Sequence, residues 1–162
     1  MNITPSGQAC GARITGLDLS KPLPTNTLRG IRDAWLEHHV LAFPDQQLDD
    51  EDLVRVTQAL GGIGDDPFFV PINKKNPVVA LTRRADEQAP VFAENWHTDW
   101  SFKKHPPIGT CLYSLVVPPV GGNTGFANQQ MALAQMPDEL RSRLEGKVAL
   151  HSAAAAYGPQ GT

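Results

Sequence analysis

The chain has 162 residues, 41% of them hydrophobic, and a formal net charge of −3, which is enough for one domain with a real core. So balanced a charge points to neither a nucleic-acid surface nor a polybasic membrane patch, and no apolar run is long enough to cross a bilayer. Cys10 and Cys111 lie far apart and match no zinc spacing.

Met1 to Gly7 contains no basic segment followed by an apolar stretch, so no secretion signal is expected and the chain reads as cytoplasmic with reduced thiols. Fourteen prolines and fourteen glycines, widely spread, indicate many turns and short elements. The run from Gly11 to Ser20 alternates apolar and polar residues and predicts a strand. An amphipathic helix follows Pro24, with Leu28, Ile31, Trp35 and Leu36 on its apolar face and His38-His39 at its end. Val40 to Phe43, stopped by Pro44, predicts a short buried strand. Asp49 is the expected N-cap of a second helix, with Asp52 three residues on, an apolar stripe of Leu53, Val56 and Leu60, and Gly61-Gly62 as its stop.

Beyond that point the pattern changes. Pro67 to Pro71 and Lys74 to Pro77 read as loops, Val78 to Thr82 as a strand, and Arg83 to Pro90 as a charged, exposed segment. Thr110 to Val117 predicts a strand ended by Pro118-Pro119, and Gly121-Gly122-Asn123 a tight turn. A strand over Thr124 to Ala127, a helix from about Gln129 to Gln135 and a short helix over Pro137 to Leu144 complete the pattern. Helices early and strands later predict an α+β fold with a mainly antiparallel sheet.

Chemistry concentrates in Glu94 to Phe102. In an extended segment, residues two apart share a face, so His97 and Asp99 can offer an imidazole nitrogen and a carboxylate oxygen to one ion. Two histidines and one carboxylate on one face leave three positions open, which suits ferrous iron that must take up a cosubstrate and oxygen together. A His-x-Asp pair by itself occurs often by chance and then reads more readily as a core histidine beside a turn aspartate.

The run Asn95-Trp-His-Thr-Asp-Trp-Ser-Phe102, then Pro106-Pro107, the strand to Val117 and Pro119-Val-Gly-Gly-Asn-Thr124 closely resembles the taurine dioxygenase family of 2-oxoglutarate-dependent oxygenases. The opening Gly11 to Ser20 and the order helix, Val40 to Gln46, helix, Leu-Gly fit the same family, so the resemblance covers Gly11 to about Ala149. It implies a double-stranded β-helix, or jelly roll, with N-terminal helices, incomplete here because residues 1–162 match the N-terminal part of a single dioxygenase domain. It implies Fe(II) and 2-oxoglutarate as cofactor and cosubstrate, and O2 and a small organic molecule as reactants. The substrate is hydroxylated, with succinate and CO2 as co-products. His97 and Asp99 take the places of the first two iron ligands, Thr124 that of the threonine that bonds a carboxylate of 2-oxoglutarate, and Asn95 that of a substrate contact. Family members are often homo-oligomers, and neither nucleic acid nor membrane is expected as a partner. Trp96, Trp100, Phe102, Phe68, Phe69 and Tyr113 are expected to pack.

The resemblance leaves two family residues without a match: a distal histidine, the third iron ligand, and an arginine for the far carboxylate of 2-oxoglutarate. His151 is a substitute at a tolerable spacing, but no Lys or Arg follows it and it lies in a segment that relatives carry besides their distal histidine. A truncated, non-catalytic remnant of the family is therefore one alternative, and a small zinc hydrolase using His97, Asp99 and His151 is another. Strands ending near Val117 and Ala127 are expected to expose edges and apolar faces. Asp65-Asp66-Pro67-Phe68-Phe69, acidic and aromatic where relatives place a substrate-contacting histidine, weighs against taurine itself.

Overall fold

The computed structural model describes residues 1–64, 71–72, 76–84, 86–88 and 95–153. The loops expected over Pro67 to Pro71 and Lys74 to Pro77, and the aromatic pair Phe68-Phe69, fall mainly or wholly outside the described residues.

Strand β1 (Asn2–Pro5) runs antiparallel to β2 (Ala12–Thr15), from Asn2 opposite Thr15 to Pro5 opposite Ala12. Helix α1 (Thr25–His38) then carries the chain back, so that β3 (Leu41–Ala42) lies parallel to β2, with Ala12 opposite Leu41. A crossover helix between parallel neighbours is the expected way to join them. Helix α2 (Asp50–Leu60) packs on α1, and α3 (Gln129–Ala134) and α4 (Asp138–Leu144) follow much later.

The core is small and follows from two periodicities. Along β2, Ala12 and Ile14 face inward while Arg13 faces out. Along α1, Ile31 and Ala34 are buried three residues apart, and Val56 of α2 and Leu19 of the preceding turn close the cluster. Full burial of Ile14 and Ile31 contributes about 1.5–3 kcal/mol each. Leu36, expected on the buried face, is 66% exposed. Five residues beyond Ile31 is about 500° of helical turn, which carries it well off the Ile31 stripe. Its place is taken by Ala34, and Trp35 is half-buried.

The second helix starts as its sequence predicts. Asp52 N–H donates to Asp49 Oδ1 at 2.8 Å and Asp49 N–H donates to Asp52 Oδ2 at 3.5 Å, a reciprocal capping box. Asp50, Glu51 and Asp52 place negative charge at the positive end of the helix. Arg55 then bonds both Asp52, at 2.5 Å, and the Leu19 carbonyl, at 3.0 Å, fastening α2 to the core turn. Before that turn, Asp18 accepts from Lys21 Nζ at 2.7 Å and from the Ser20 hydroxyl. These contacts, Lys21 first, lower the Asp18 carboxyl to about 2 and raise Lys21.

Several expected strands differ. The first is four residues long rather than ten, ended by Gly16 at φ 74° and paired with β1, which its polar composition had hidden. β3 holds two residues, half-buried and exposed, instead of a buried four. Residues 78–82, 110–117 and 124–127 form no strand ladder among the described residues. β-propensity alone does not make a strand: backbone N–H and C=O groups need a neighbouring strand to meet. The described sheet is thus mixed rather than mainly antiparallel, with one antiparallel and one parallel pairing. The α+β class holds, while the jelly-roll ladder is not formed among the described residues. Leu112, Leu115, Val116 and Val117 are 66–90% exposed, as expected for apolar faces without a partner sheet. The two late helices form close to their predicted bounds, and Asn128 caps α3 through Met131 N–H while donating to the Ala9 carbonyl at 2.7 Å. Cys10 and Cys111 are both free. No helix among the described residues is long and apolar enough to cross a membrane.

The segment 108–113 is docked on the helices despite its irregular backbone. Ile108 rests its side chain on Gly61, and Gly109 lies so close to the Trp35 indole that a Cβ there would collide with it. Tyr113 Oη accepts from Leu48 N–H at 3.1 Å and donates to the Gln46 carbonyl at 3.2 Å. Gln46 in turn accepts from Leu19 N–H at 2.8 Å, so Tyr113 joins the polar network that frames the core rather than merely packing.

Three outcomes follow from this packing. Ile31→Ala lowers unfolding free energy by about 2–5 kcal/mol in a urea titration, whereas Leu36→Ala stays within about 0.5 kcal/mol of the parent. Gly109→Ala costs about 1–3 kcal/mol by overpacking against Trp35, read in the same titration. Because the Asp18 carboxyl is lowered from 3.8 to about 2, its turn favours folding above pH ~4 and loses that contribution as pH falls towards about 2. Asp18→Asn therefore flattens that part of an acid-unfolding curve followed by circular dichroism.

Candidate metal centre

The segment that carries the His-x-Asp pair is not a strand. Asn95 sits at a bend, residues 96–98 are irregular and a turn begins at Asp99. Trp100 adopts φ 47°, and Lys103 N–H closes the turn on the Trp100 carbonyl at 2.9 Å. A left-handed non-glycine residue costs of order 1 kcal/mol. The Lys103 ammonium lies over the Trp100 ring at 4.5 Å, a favourable cation–π contact on that same turn.

His97 and Asp99 nevertheless converge, through hydrogen bonds instead of strand alternation. His97 Nδ1 lies 2.7 Å from the Asn95 carbonyl. A carbonyl only accepts, so Nδ1 carries the proton and Nε2 is the outward nitrogen. His97 Nε2 stands 3.2 Å from Asp99 Oδ1. The other carboxylate oxygen, Oδ2, accepts the Thr110 hydroxyl proton at 2.7 Å. Both side chains are about half exposed, 48% and 52%.

This arrangement fits a divalent cation. A lone pair on Nε2 and a carboxylate oxygen repel one another unless positive charge lies between or on them. In an octahedral shell with bonds of about 2.1 Å, neighbouring ligand atoms stand about 3.0 Å apart, close to the observed 3.2 Å. The Nδ1–H bond to a backbone carbonyl is the usual way to orient a ligating imidazole. Both side chains remain about half open to solvent, from which further ligands could come.

The remaining residues are distributed as follows. Asn95 supplies its backbone carbonyl to His97, and its side chain is exposed. Thr124 is exposed, and its neighbour Gly125 lies against the Trp96 ring, where an added Cβ would meet the indole at 3.0 Å. The segment of Thr124 thereby touches the segment of the pair, while Thr124 itself makes no hydrogen bond to His97 or Asp99 among the described residues. Trp96 is 76% exposed, so it packs less than expected. His151 Nδ1 is 2.8 Å from Ser101 Oγ, and among the described residues no group of three His, Cys, Asp or Glu side chains could hold a metal ion. The described geometry therefore does not bring His151 into a triad with His97 and Asp99. Sequence reading missed Thr110, which heads an apolar run and reads as a strand residue; eleven residues from Asp99, it gives no local sign of the contact.

Among relatives, the alkylsulfatase of Acinetobacter baylyi is 34% identical over 149 residues, covering 91% of this chain and 46% of its own length. The alpha-ketoglutarate-dependent sulfate ester dioxygenase of Pseudomonas putida is 33% identical over 156 residues, covering 94% and 50%. The crystal structure of a taurine dioxygenase from Burkholderia xenovorans superposes with a TM-score of 0.69 at 26% identity, covering 90% of this chain and 51% of that one. The chain spans about half the length of the curated relatives it matches. Residues 2–162 match the model of the taurine catabolism dioxygenase TauD, TfdA family, and the chain belongs to that family.

Proposed function

We propose that this chain is the N-terminal part of a single Fe(II)- and 2-oxoglutarate-dependent dioxygenase domain that hydroxylates a small organic substrate, with succinate and CO2 as co-products. The observation that carries the reading is the 3.2 Å approach of His97 Nε2 to Asp99 Oδ1, with Nδ1 already committed to a carbonyl. His97 and Asp99 are the two iron ligands of this chain. The iron, when bound with 2-oxoglutarate, supplies oxidation by O2. The chain's residues order the reactants: His97 is held in one tautomer by Asn95, Asp99 is held by Thr110, the Thr124 hydroxyl donates to a carboxylate of 2-oxoglutarate, and Asn95 meets the substrate.

The partial jelly-roll reading is supported by the exposed apolar run Leu112 to Val117, which suits a surface meant to meet further strands. An alkyl sulfate is the first substrate to try, because two relatives are named for sulfate-ester chemistry. A second reading, a non-catalytic remnant, is favoured by one observation: among the described residues only two ligating groups converge.

Anaerobic titration separates these readings. Fe(II) and 2-oxoglutarate together produce a weak visible charge-transfer band with the chain, and His97→Ala or Asp99→Ala abolishes it. A chain that binds Zn(II) tightly and shows no such band is not an oxygenase of this kind, and one that binds neither metal nor 2-oxoglutarate is a remnant. With the band present, O2-dependent release of succinate in the presence of an alkyl sulfate measures turnover.

A further inference from the structure

We propose that Thr110 is a positioning residue that restricts Asp99 to one-oxygen ligation of the metal, an inference that rests on the iron reading of the His97–Asp99 pair. A carboxylate can bind an ion through one oxygen or chelate it through both. In a site of two histidines and one carboxylate, chelation by the carboxylate would occupy one of the three positions that cosubstrate and oxygen need. The observed bonds give the two oxygens different partners. Oδ1 faces His97 Nε2 at 3.2 Å, and Oδ2 holds the Thr110 hydroxyl at 2.7 Å. A carboxylate only accepts, so the hydroxyl proton points at Oδ2, and the bond is charge-assisted.

Thr110 can hold the carboxylate in this way because its own backbone is fixed from elsewhere. Its neighbour Gly109 is wedged on Trp35 of α1, Ile108 rests on Gly61 after α2, and Tyr113 is bonded to Gln46 and Leu48. The hydroxyl is thus presented by the N-terminal core to a carboxylate that sits in an irregular turn. Without it, Asp99 in an open, half-exposed position is free to rotate and offer both oxygens.

The test uses Co(II) alone as the probe, added anaerobically to the full chain and to Thr110→Val, Thr110→Ser, His97→Ala and Asp99→Asn. Calorimetry gives affinity. The Co(II)-minus-apo infrared difference spectrum gives the gap between the antisymmetric and symmetric carboxylate stretches, wide for one-oxygen ligation and narrow for chelation. The stretches are assigned to Asp99 by their loss in Asp99→Asn. Thr110→Val, which keeps the shape and removes the hydroxyl, is expected to narrow the gap, and Thr110→Ser to widen it again. A Thr110→Val chain with the parent's wide gap overturns the proposal, whatever its affinity, while the iron reading stands provided His97→Ala loses Co(II). If His97→Ala binds Co(II) as the parent does, the iron reading fails and this inference falls with it.

Discussion

The close approach of Gly109 to the Trp35 indole fixes the rest of the site. It lets the chain from 108 to 113 lie directly on α1, with Ile108 on Gly61 to one side and the Tyr113 hydroxyl bonded into the Gln46 network on the other. From that docked segment Thr110 reaches Asp99, and from Asp99 the geometry passes to His97. A turn with little regular structure of its own thus inherits its order from helices many residues earlier. Functional groups carried on loops over a packed scaffold commonly depend on such supports.

The same dependence explains the polarity of the molecule. Among the described residues its buried part is the small core of Ala12, Ile14, Leu19, Ile31, Ala34 and Val56, all within residues 12–56. Arg55 and Gln46 convert that core into polar anchor points, bonding the backbone of Leu17 and Leu19. The N-cap of the later helix α3 returns to this region through the Asn128 bond to the Ala9 carbonyl. The His97–Asp99 pair lies between these regions along the chain and is tied to the first of them through Thr110.

What the sequence disclosed and what it hid follow from the range of the interactions. The capping box at Asp49 and Asp52 and the stops at His38 and Gly61 are local, and they stand where the residues place them. His97 and Asp99 were legible through the motif around them, but the reason for their convergence was not. A strand would have set them side by side by alternation; instead an Asn95 carbonyl and a distant threonine do so. The apolar runs at 78–82, 110–117 and 124–127 have strand-like composition, yet whether such a run becomes a strand depends on a neighbour that its own residues do not specify. Leu36 was misplaced because three apolar residues in the same turn cannot all face one way: Ala34 is buried, Trp35 is half-buried and Leu36 is exposed.

The run from Cys111 to Val117 has a consequence for how the polypeptide behaves in a tube. Its seven residues carry no charge, and Leu115 and Val116 are 83% and 90% exposed. Uncharged, β-prone heptads of this kind adhere to their own copies. The two prolines that follow, Pro118 and Pro119, cannot donate backbone hydrogen bonds, and so they limit how far such adhesion spreads along the chain. An exposed, uncharged strip of this kind is a liability for self-association until a complementary surface covers it.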